Sequence, residues 1–491
     1  MARLRICFVT SELAPYAKTG GLADVSAALP RELHRLGHDV RVFLPFYPRV
    51  RGSAESIRPV EGLQNLNLRL GSHGYSYSVF ATPLPRTQLD VHLVDCPSLY
   101  HRSGIYTGDG DEHRRFLLLT RAAIECCQRM QWSPDIFHCH DWQTALGPLY
   151  LKSTHGWDRL FEHTRSVLTL HNVGYQGVFG SDVLPDLGLG EAEHLLHQDD
   201  LRAGRIGFLK TGILHADLLT TVSPTYAREL QTEAYGMGLH DLLRRRAGSL
   251  VGILNGIDAE EWNPRTDPHL AARYSEKSLW RKEMVKRQLL AAMGLPDAPE
   301  APVVGLVSRL TGQKGIELLD PALPELMRER DLRFVALGSG ESRYENLLGG
   351  MQAAFPGKAC FYRGFSNELA HLIEGGADMF VMPSRYEPCG LNQMYSLRYG
   401  TVPVVRKTGG LADTVEHYDP KTGAGTGFVF EHSTSTGLRW ALGQAFDVYP
   451  DRRAWRRLMQ NGMARDFSWP HQAAAYEDLF TRLVAREGAR S

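Results

Sequence analysis

The sequence predicts an α/β protein built from two doubly wound domains, each with a parallel sheet covered by helices on both faces. Three observations support this prediction. Short apolar runs alternate with longer amphipathic stretches, which is the pattern of strand–helix units around a parallel sheet. The same alternation runs through the first half of the chain and again through the second half. With 491 residues, the chain is also longer than one ordinary hydrophobic core accommodates.

The elements expected in each half follow from these runs. The predicted strands of the first half are RICFVT, DVRVFLPF, VHLVDC, DIFHCHD, SVLTLHN and DLLTTVS. Amphipathic stretches between them predict helices, among them LADVSAALPRELHRLG and RRFLLLTRAAIECCQRM. The predicted strands of the second half are VVGLVSR, RFVALGSG, ACFYRG, DMFVMPS, VPVVRK and GFVFE.

The boundary between the two domains is expected near SLVGILNGIDAEEWNP, where a strand-like run ends in Asn, Gly, Asp and Pro. We therefore expect a first domain over residues 1–248 and a second domain over residues 249–464. The segment from Trp469 onward has a helical pattern. We expect the C-terminal stretch 465–491 to complete the first domain.

Composition narrows the classes of partner and the compartment. The 55 basic and 55 acidic residues balance, so no overall field attracts nucleic acid or an anionic membrane surface. The seven cysteines are scattered without a CxxC pair, which is typical of a reduced intracellular protein. No run approaches the roughly 18 apolar residues of a membrane span, and the N-terminal apolar run is too short for a signal peptide. We expect a cytoplasmic protein.

The heptapeptide KTGGLAD occurs twice, at residues 18–24 and at residues 407–413. No third copy exists, which argues against a repeat array and favours two similar turns in two domains. In the first copy, Gly20 and Gly21 lie between a predicted strand and a predicted helix. Glycines there let the backbone approach a ligand, a helix N-terminus offers N–H groups to an anion, and Lys18 adds positive charge. A turn that merely needs glycine explains the pattern equally well.

A second group of candidates lies in VVGLVSRLTGQKGIELL. Arg309 and Lys314 are expected on the loop between a strand and a helix. Two cations at a helix start are unfavourable for the helix dipole unless an anion joins them. This arrangement favours a ligand that carries a diphosphate over two solvated surface charges.

The most specific stretch is MPSRYEPCGLNQMYSLRYGTVPVV. Here Glu387 and Gly390 form a turn between a predicted strand and a predicted helix. A carboxylate beside a glycine turn and a helix N-terminus can stabilise positive charge on a sugar carbon while the departing phosphate is bound. An ordinary acidic residue in a first helical turn is the equally weighted alternative for Glu387.

Two polar motifs superficially resemble metal sites. His138 and His140 alternate onto one strand face beside Asp141, but no further cluster supplies the remaining ligands of a metal ion. The DGD sequence at Asp109–Asp111 lies in a polar stretch without a preceding strand, which favours a surface turn. We therefore predict no metal site.

The motifs KTGGLAD, HDW, HN, SRLTGQKG, SRYEPCGLNQ and the second KTGGLAD, taken in this order, resemble those of bacterial glycogen synthases and plant starch synthases. The resemblance extends from about Ile6 to beyond Val415. It implies the GT-B fold, in which two Rossmann-like domains face each other across a cleft. It further implies retaining transfer of glucose from ADP-glucose to the non-reducing end of an α-1,4-glucan, which elongates glycogen. No cofactor is implied, and no prediction follows for the oligomeric state.

The resemblance also implies roles for individual residues. The implied catalytic residues are those that hold the diphosphate or face the transferred sugar: Glu387, Arg309, Lys314, His171 and Asp141. The implied substrate-binding residues surround the sugar nucleotide or its phosphates: Lys18, Gly20, Gly21, Asp24, Phe365, Gly390, Leu391, Thr408, Gly409 and Gly410. Among these, Phe365 occupies the family's aromatic position near the nucleotide base.

One departure from a wider pattern bears on mechanism. Many retaining GT-B enzymes carry a second Glu after seven intervening residues, and this chain has Tyr395 there. A double displacement that uses a carboxylate at this position is therefore excluded, and we expect a front-face reaction.

Three other functions stay open from the residues alone. A transferase of the same fold could use a different sugar nucleotide. A glycosidase could pair Asp141 with Glu387 as its two carboxylates. A non-catalytic glucan-binding protein is the third alternative, although a neutral polymer requires no diphosphate pocket.

Overall fold

The computed structural model describes residues 3–488, and these residues form two compact units. Unit 1 contains the described chain up to Val222, then Ala227–Ile253, and the chain from Trp469 onward. Unit 2 contains Ser223–Tyr226 and Leu254–Ser468. No helix in the described range is long and apolar enough to cross a membrane.

Unit 1 is built on a ten-stranded sheet and a separate two-stranded antiparallel sheet. The strands of the large sheet are β1 (Arg5–Val9), β2 (Asp39–Pro45), β3 (Arg58–Pro59), β4 (Leu66–Leu70), β5 (His73–Pro83), β6 (Asp90–Asp95), β7 (Ile136–His140), β8 (Arg165–Leu170), β11 (Leu218–Thr221) and β12 (Leu250–Gly252), and those of the small sheet are β9 (Val178–Gly180) and β10 (Arg205–Gly207).

The large sheet has a parallel centre and an antiparallel edge. Its spatial order is β12-β11-β8-β7-β1-β2-β6-β5-β3, with β4 paired to β5. All neighbours from β12 to β6 are parallel, whereas β3, β4 and β6 each pair with β5 in the antiparallel direction. The chain order reverses between β1 and β7, which makes this the switch point where open parallel sheets bind ligands.

Unit 2 contains a six-stranded sheet in which every pair is parallel. Its strands are β13 (Val303–Leu310), β14 (Arg333–Gly340), β15 (Ala359–Arg363), β16 (Met379–Met382), β17 (Val402–Arg406) and β18 (Phe428–Phe430). The spatial order is β15-β14-β13-β16-β17-β18. Counted from the first strand of the unit, this is the order 3-2-1-4-5-6 of a doubly wound dinucleotide-binding fold, with its switch point between β13 and β16.

Helices cover both sheets. Those of unit 1 are α1 (Gly21–Arg35), α2 (Val50–Ser53), α3 (Pro97–Tyr100), α4 (Glu112–Arg129), α5 (Asp141–Thr144), α6 (Gly147–Lys152), α7 (Leu184–Leu187), α8 (Gln198–Arg202), α9 (Phe208–His215), α11 (His240–Arg245) and α20 (Trp469–Gly488), while α10 (Pro224–Glu229) crosses the boundary between the units. Those of unit 2 are α12 (Lys282–Ala292), α13 (Leu319–Glu329), α14 (Ser342–Ala354), α15 (Asn367–Gly376), α16 (Asn392–Tyr399), α17 (Gly409–Thr414), α18 (Ser435–Val448) and α19 (Arg452–Met463).

The strands of unit 2 are apolar on both faces because helices cover both sides of the sheet. In β14, Phe334 and Ala336 belong to one buried cluster, whereas Val335 and Leu337 belong to a second cluster on the opposite face. Successive side chains of a strand point to opposite faces. A strand buried on both faces therefore reads as a continuous apolar run rather than as an alternating one, which is why the predicted strands could be located in the sequence.

All twelve predicted strands and both quoted helices are present, so the α/β, doubly wound prediction is confirmed. The antiparallel edge β3–β5 and the strand pair β9–β10 were not predicted, and β12 lies in the strand-like run at the predicted boundary. Strand β12 is parallel to β11 and completes the sheet of unit 1. The predicted boundary had placed its residues, 250–252, at the start of the second domain.

Candidate active site

The polar candidates follow the strands that flank the two switch points. In unit 1, Lys18 follows β1 and Asp141 follows β7. In unit 2, Lys314 follows β13 and Glu387 follows β16. Arg309 differs from its prediction, because it belongs to β13 itself and not to the loop after it. Each unit thus concentrates its candidates at the edge where a doubly wound sheet binds ligands.

Glu387 is a buried carboxylate with two side-chain partners. Its Oε2 accepts a hydrogen bond from Lys314 Nζ at 2.6 Å and another from Ser384 Oγ at 2.9 Å. The Glu387 residue is only 5 % exposed. A buried charge is tolerated only when it is paired and hydrogen-bonded, and both conditions are met here. Sequence reasoning did not identify Ser384, although it lies three residues before Glu387 in the same motif.

Lys314 does not lie at the start of an α-helix, where it was predicted. It ends a short 3₁₀ helix, Gly312–Lys314, whereas the α-helix that follows, α13, begins only at Leu319. Its ammonium pairs with the Glu387 carboxylate. The argument that an anion must offset an unfavourable helix dipole therefore does not apply to Lys314. Arg309 is exposed and forms no ion pair with any residue of the described range 3–488.

The second KTGG sequence packs its backbone directly against the turn that carries Glu387. A Cβ atom added at Gly409 would lie 1.9 Å from the Glu387 carbonyl oxygen, and one added at Gly410 would lie 2.0 Å from that of Cys389. The amide of Gly410 donates to the carbonyl oxygens of Glu387 and Pro388, at 3.1 and 3.2 Å. Only glycine permits backbones to approach this closely. The motif thus supports Glu387 through main-chain contacts.

Other main-chain contacts hold the same turn. Gly315 has a φ of +63°, and a Cβ there would lie 2.2 Å from the Pro383 carbonyl oxygen. The buried Arg406 guanidinium donates from Nε to the Ser384 carbonyl oxygen at 2.8 Å and from Nη2 to that of Arg385. The segment around Glu387 is therefore fixed from the end of β17 and from the loop after β13.

The remaining candidates of unit 2 lie around this turn or at its neighbours. Gly390, with a φ of +72°, and Leu391 directly precede α16. Thr408 is fully buried ahead of α17. Phe365 is 78 % exposed on the loop between β15 and α15, which leaves its ring open to a flat partner. Lys407, the cation of the second copy, pairs with an exposed glutamate and is itself exposed.

The first KTGG sequence is held by a residue that sequence reasoning missed, Glu12. Its carboxylate accepts hydrogen bonds from the amides of Thr19 and Gly20, at 2.6 and 3.1 Å, and from the Tyr106 hydroxyl at 2.8 Å. These two amides, which precede α1, are therefore occupied by a carboxylate of the chain itself. Lys18 donates to Asp24 at 2.6 Å across the glycine turn.

The space where a side chain would begin is open at both glycines of this first copy. A Cβ atom added at Gly20 or Gly21 would meet nothing within 4 Å. The identical sequences KTGGLAD therefore have different surroundings, because the first follows the first strand of its sheet and the second follows the fifth strand of its sheet.

Asp141 and His171 lie together after β7 and β8. Asp141 Oδ1 accepts a hydrogen bond from the backbone amide of His171 at 2.7 Å. Asp141 also has a φ of +53°, an uncommon backbone conformation for a residue other than glycine. Burial raises the pKa of Asp141 to about 7, although two backbone hydrogen bonds oppose this shift and the nearby Glu12 adds to it.

The two motifs that superficially resemble metal sites have other surroundings in the structure. The carboxylates of Asp109 and Asp111 bind the Arg102 guanidinium, at 2.6 Å each. His138 and His140 are fully buried. Across residues 3–488, no group of three or more His, Cys, Asp or Glu side chains is arranged to hold a metal ion.

Comparisons with known proteins agree with this architecture. A family profile described as the starch synthase catalytic domain matches residues 5–245, and one described as glycosyl transferases group 1 matches residues 295–460. The chain is 43 % identical to a glycogen synthase of Koribacter versatilis, over 98 % of each chain. It is 46 % identical to a glycogen synthase of Myxococcus xanthus, over 98 % of this chain and 100 % of the relative.

Solved structures give the same result. The catalytic domain of starch synthase IV from Arabidopsis thaliana, bound to ADP and acarbose, has a TM-score of 0.90 at 35 % identity, over 99 % of this chain and 100 % of that one. A sucrose-phosphate synthase from Thermosynechococcus elongatus, with a TM-score of 0.62 at 16 % identity, shares the fold.

The fold and the matched profiles first define a class: the chain is a glycosyltransferase with the GT-B fold of two Rossmann-like domains. More particularly, it belongs to the family of bacterial glycogen synthases and plant starch synthases. This membership confirms the predicted family and implies a nucleotide-sugar donor and a glucan acceptor. Because the chain is a glycosyltransferase, the two alternatives of a glycosidase and a non-catalytic glucan-binding protein are set aside.

The different surroundings of the glycines in the two KTGG copies predict different effects of adding a methyl group. Gly410→Ala should lower the free energy of unfolding of unit 2 by about 1–3 kcal/mol, the usual cost of overpacking, because its Cβ would overlap the Cys389 backbone. Gly20→Ala is the matched control and should change stability by less than about 0.5 kcal/mol. Scanning calorimetry measures both, and equal losses of melting temperature would contradict the difference in surroundings.

The raised pKa of Asp141 predicts a pH-dependent stability difference. Folding favours the neutral acid, so Asp141 destabilises the folded protein increasingly as the pH rises from about 4, its ordinary range, to about 7. Asp141→Asn removes this effect. The melting temperature of the variant relative to the parent should therefore rise between pH 5 and pH 8, by the equivalent of at least about 1.4 kcal/mol, one pKa unit.

Asp109→Asn serves as the control for this measurement. The Thr107 hydroxyl and the Arg102 guanidinium lower the pKa of Asp109, so this exposed carboxylate is ionised in both states above pH 5. The control should show no gain between pH 5 and pH 8. A constant difference between Asp141→Asn and the parent over this range would show that Asp141 is ionised throughout.

Proposed function

We propose that the chain elongates glycogen by transferring glucose from ADP-glucose to the non-reducing end of an α-1,4-glucan, with retention of the anomeric configuration. The observation that carries this proposal is the buried Glu387 carboxylate paired with Lys314, at the switch point of a doubly wound sheet. Arg309, which forms no ion pair within residues 3–488, lies on the adjacent strand. Adenine as the base is supported by the sequence resemblance, and the related starch synthase IV structure was bound to ADP.

The cations of unit 2 suit the leaving group. Breaking the anomeric C–O bond leaves a diphosphate that gains negative charge, and Arg309 and Lys314 would stabilise it electrostatically. The amides of Gly390 and Leu391, ahead of α16, would add hydrogen bonds to the phosphate. Lys314 would then lie between two anions, the diphosphate and Glu387, which would hold its ammonium in place.

Glu387 would oppose the positive charge that develops on the sugar. Its carboxylate is held by Lys314 and Ser384 before any substrate binds, so no reorganisation is required during the reaction. Thr408, Gly409 and Gly410 would serve the reaction through this turn rather than through direct phosphate contacts.

Other candidates would bind the remaining parts of the donor. The exposed Phe365 ring would stack on the nucleotide base. Lys18, with Gly20, Gly21 and Asp24, would contact the sugar nucleotide at the end of β1. Asp141 and His171 would face the transferred glucose.

The absence of a second carboxylate at Tyr395 favours a front-face mechanism. In this mechanism the leaving phosphate oxygen accepts the proton of the acceptor hydroxyl on the same face of the sugar, and the acceptor oxygen forms the new bond there. The configuration is retained without a covalent glycosyl-enzyme intermediate. We further infer a cytoplasmic location, since all seven cysteines are free thiols.

The donor assignment is tested by measuring glucose transfer to glycogen from ADP-glucose and UDP-glucose side by side. ADP-glucose should be used at a rate well above that of UDP-glucose, and the product should carry α-1,4 linkages.

Activity should also persist in EDTA, because Arg309 and Lys314 supply the positive charge for the diphosphate. Equal or reversed donor rates would refute the proposed donor, and a loss in EDTA that added metal restores would refute the metal-free arrangement.

The role of Glu387 predicts a specific kinetic change. Glu387→Gln keeps the size of the side chain but removes its charge, so kcat should fall by about 10²-fold or more. The donor KM should change much less, because the opposing charge develops only as the bond breaks. Glu431→Gln, which removes the exposed partner of Lys407, is the matched control and should leave both constants unchanged. An unchanged kcat with a raised KM would make Glu387 a binding residue only.

A further inference from the structure

Three imidazoles form a row inside unit 1. His138 and His140 project from the same face of β7, with ring centroids 4.1 Å apart, and His171 follows β8 with its ring centroid 5.3 Å from that of His140. His138 and His140 are fully buried, and His171 is 8 % exposed. Sequence reasoning considered the first two only as possible metal ligands, and the proposed function assigns a role only to His171.

One hydrogen bond joins the last two members of this row. His140 Nδ1 and His171 Nε2 are 3.0 Å apart. A single proton fits between them, so either His140 donates from Nδ1 or His171 donates from Nε2. In the first arrangement His171 keeps its own proton on Nδ1 and can donate there, whereas in the second it offers Nδ1 as an acceptor.

Both rings are neutral near pH 7. Burial lowers the pKa of His171 to about 3, and burial together with the neighbouring His138 and His171 rings lowers the pKa of His140 far below its ordinary value. Each ring therefore carries one proton, and the choice between the two arrangements is a choice of tautomer.

The other nitrogen of His140 decides between them. His140 Nε2 is buried and has no hydrogen-bond partner within the described chain. If His171 donated, this atom would have to carry the proton, as a buried N–H without an acceptor, which is the rarer and costlier defect. The rings of Phe8 and His138 pack against the His140 ring with interplanar angles of 35° and 40°, far from the perpendicular arrangement in which a ring face accepts an N–H.

We propose that His140 is a positioning residue that donates its Nδ1 proton to His171 Nε2 and thereby makes His171 a hydrogen-bond donor through Nδ1. No hydrogen bond to another residue of 3–488 occupies that Nδ1. The proposal rests on the function proposed above, in which His171 faces the transferred glucose. Its ligand there is then an acceptor, a hydroxyl oxygen of the sugar, and His171 does not act as a base.

His171 is held at its backbone and at its ring. Asp141 accepts the hydrogen bond of its backbone amide, and His140 binds its Nε2. The ring cannot rotate or exchange its two nitrogens without breaking the bond to His140. That bond thus fixes the orientation of the ring and makes Nδ1 its donating nitrogen.

The tautomer can be measured directly on the unliganded full chain. Protein labelled with [¹⁵N]histidine is examined by ¹⁵N NMR at pH 7.5, and the signals of His171 are those lost in His171→Gln. We expect a protonated Nδ1 and an unprotonated Nε2. Protonation on Nε2 would overturn the proposal. Because no substrate is present, this result is independent of whether ADP-glucose is the donor.

Three variants then separate positioning from core packing. His140→Leu removes the donor and should lower kcat/KM for the sugar nucleotide about tenfold, while the His171 signals shift toward a mixture of tautomers. His140→Asn places an amide near the position of Nδ1, and should keep kcat/KM within about threefold of the parent. His138→Leu removes a buried imidazole that bonds Thr169 and not His171, and is the matched control for core packing.

The comparison of these variants decides the outcome. A loss in His140→Leu that His140→Asn does not share, with His138→Leu near the parent, supports the proposal. Equal losses in His140→Leu and His138→Leu, with an unchanged His171 tautomer, would make His140 a packing residue and overturn it. If ADP-glucose is not used at all while the tautomer is as expected, the proposed donor fails and the assignment of His140 stands.

Discussion

The arrangement of unit 2 depends on pairing one carboxylate that lies inside the protein. Glu387 is buried, and a buried carboxylate without a partner would destabilise the fold. The chain meets this requirement with Lys314 and Ser384, and fixes the turn itself by backbone contacts that only glycine at 409 and 410 permits. Loops after three neighbouring strands, β13, β16 and β17, therefore have to meet at one point, and a parallel sheet brings their carboxyl ends to one edge.

The two KTGGLAD segments show how topology gives one sequence two environments. The first follows the first strand of its sheet and leaves open space around Gly20, with its amides bound by Glu12. The second follows the fifth strand, where its glycines pack against the backbone of the loop after β16. The identical residues form a tight turn between a strand and a helix in both places. The contacts of each turn differ, because they depend on the neighbouring strand and its loop.

The sequence predicted what depends on local pattern and left out what depends on distant contacts. Strands buried on both faces were found because they read as apolar runs, whereas β5 alternates polar and apolar residues and lacked that signal. The motif residues lie at the predicted strand ends. Their partners were missed, because Glu12 reaches Thr19 only after the chain turns back, and His140 meets His171 across a strand pair 31 residues apart. Nothing in the letters around Glu12 distinguishes it from an ordinary surface acid.

The polar residues after β7 and β8 differ in charge from those at the end of β13 and in the loop after it, and this difference fits the two chemical parts of a sugar nucleotide. In unit 1, burial raises the pKa of Asp141 and lowers those of His140 and His171, so its polar groups at the ends of β7 and β8 are held close to neutral. Neutral donors and acceptors recognise hydroxyl groups without the cost of burying a charge. In unit 2, the cations Arg309 and Lys314 lie at the end of β13 and in the loop that follows it, where Lys314 pairs with Glu387. Under the proposed function, the neutral set would bind the glucose and the charged set the diphosphate, so that the bond to be broken is the one that joins the two kinds of chemistry.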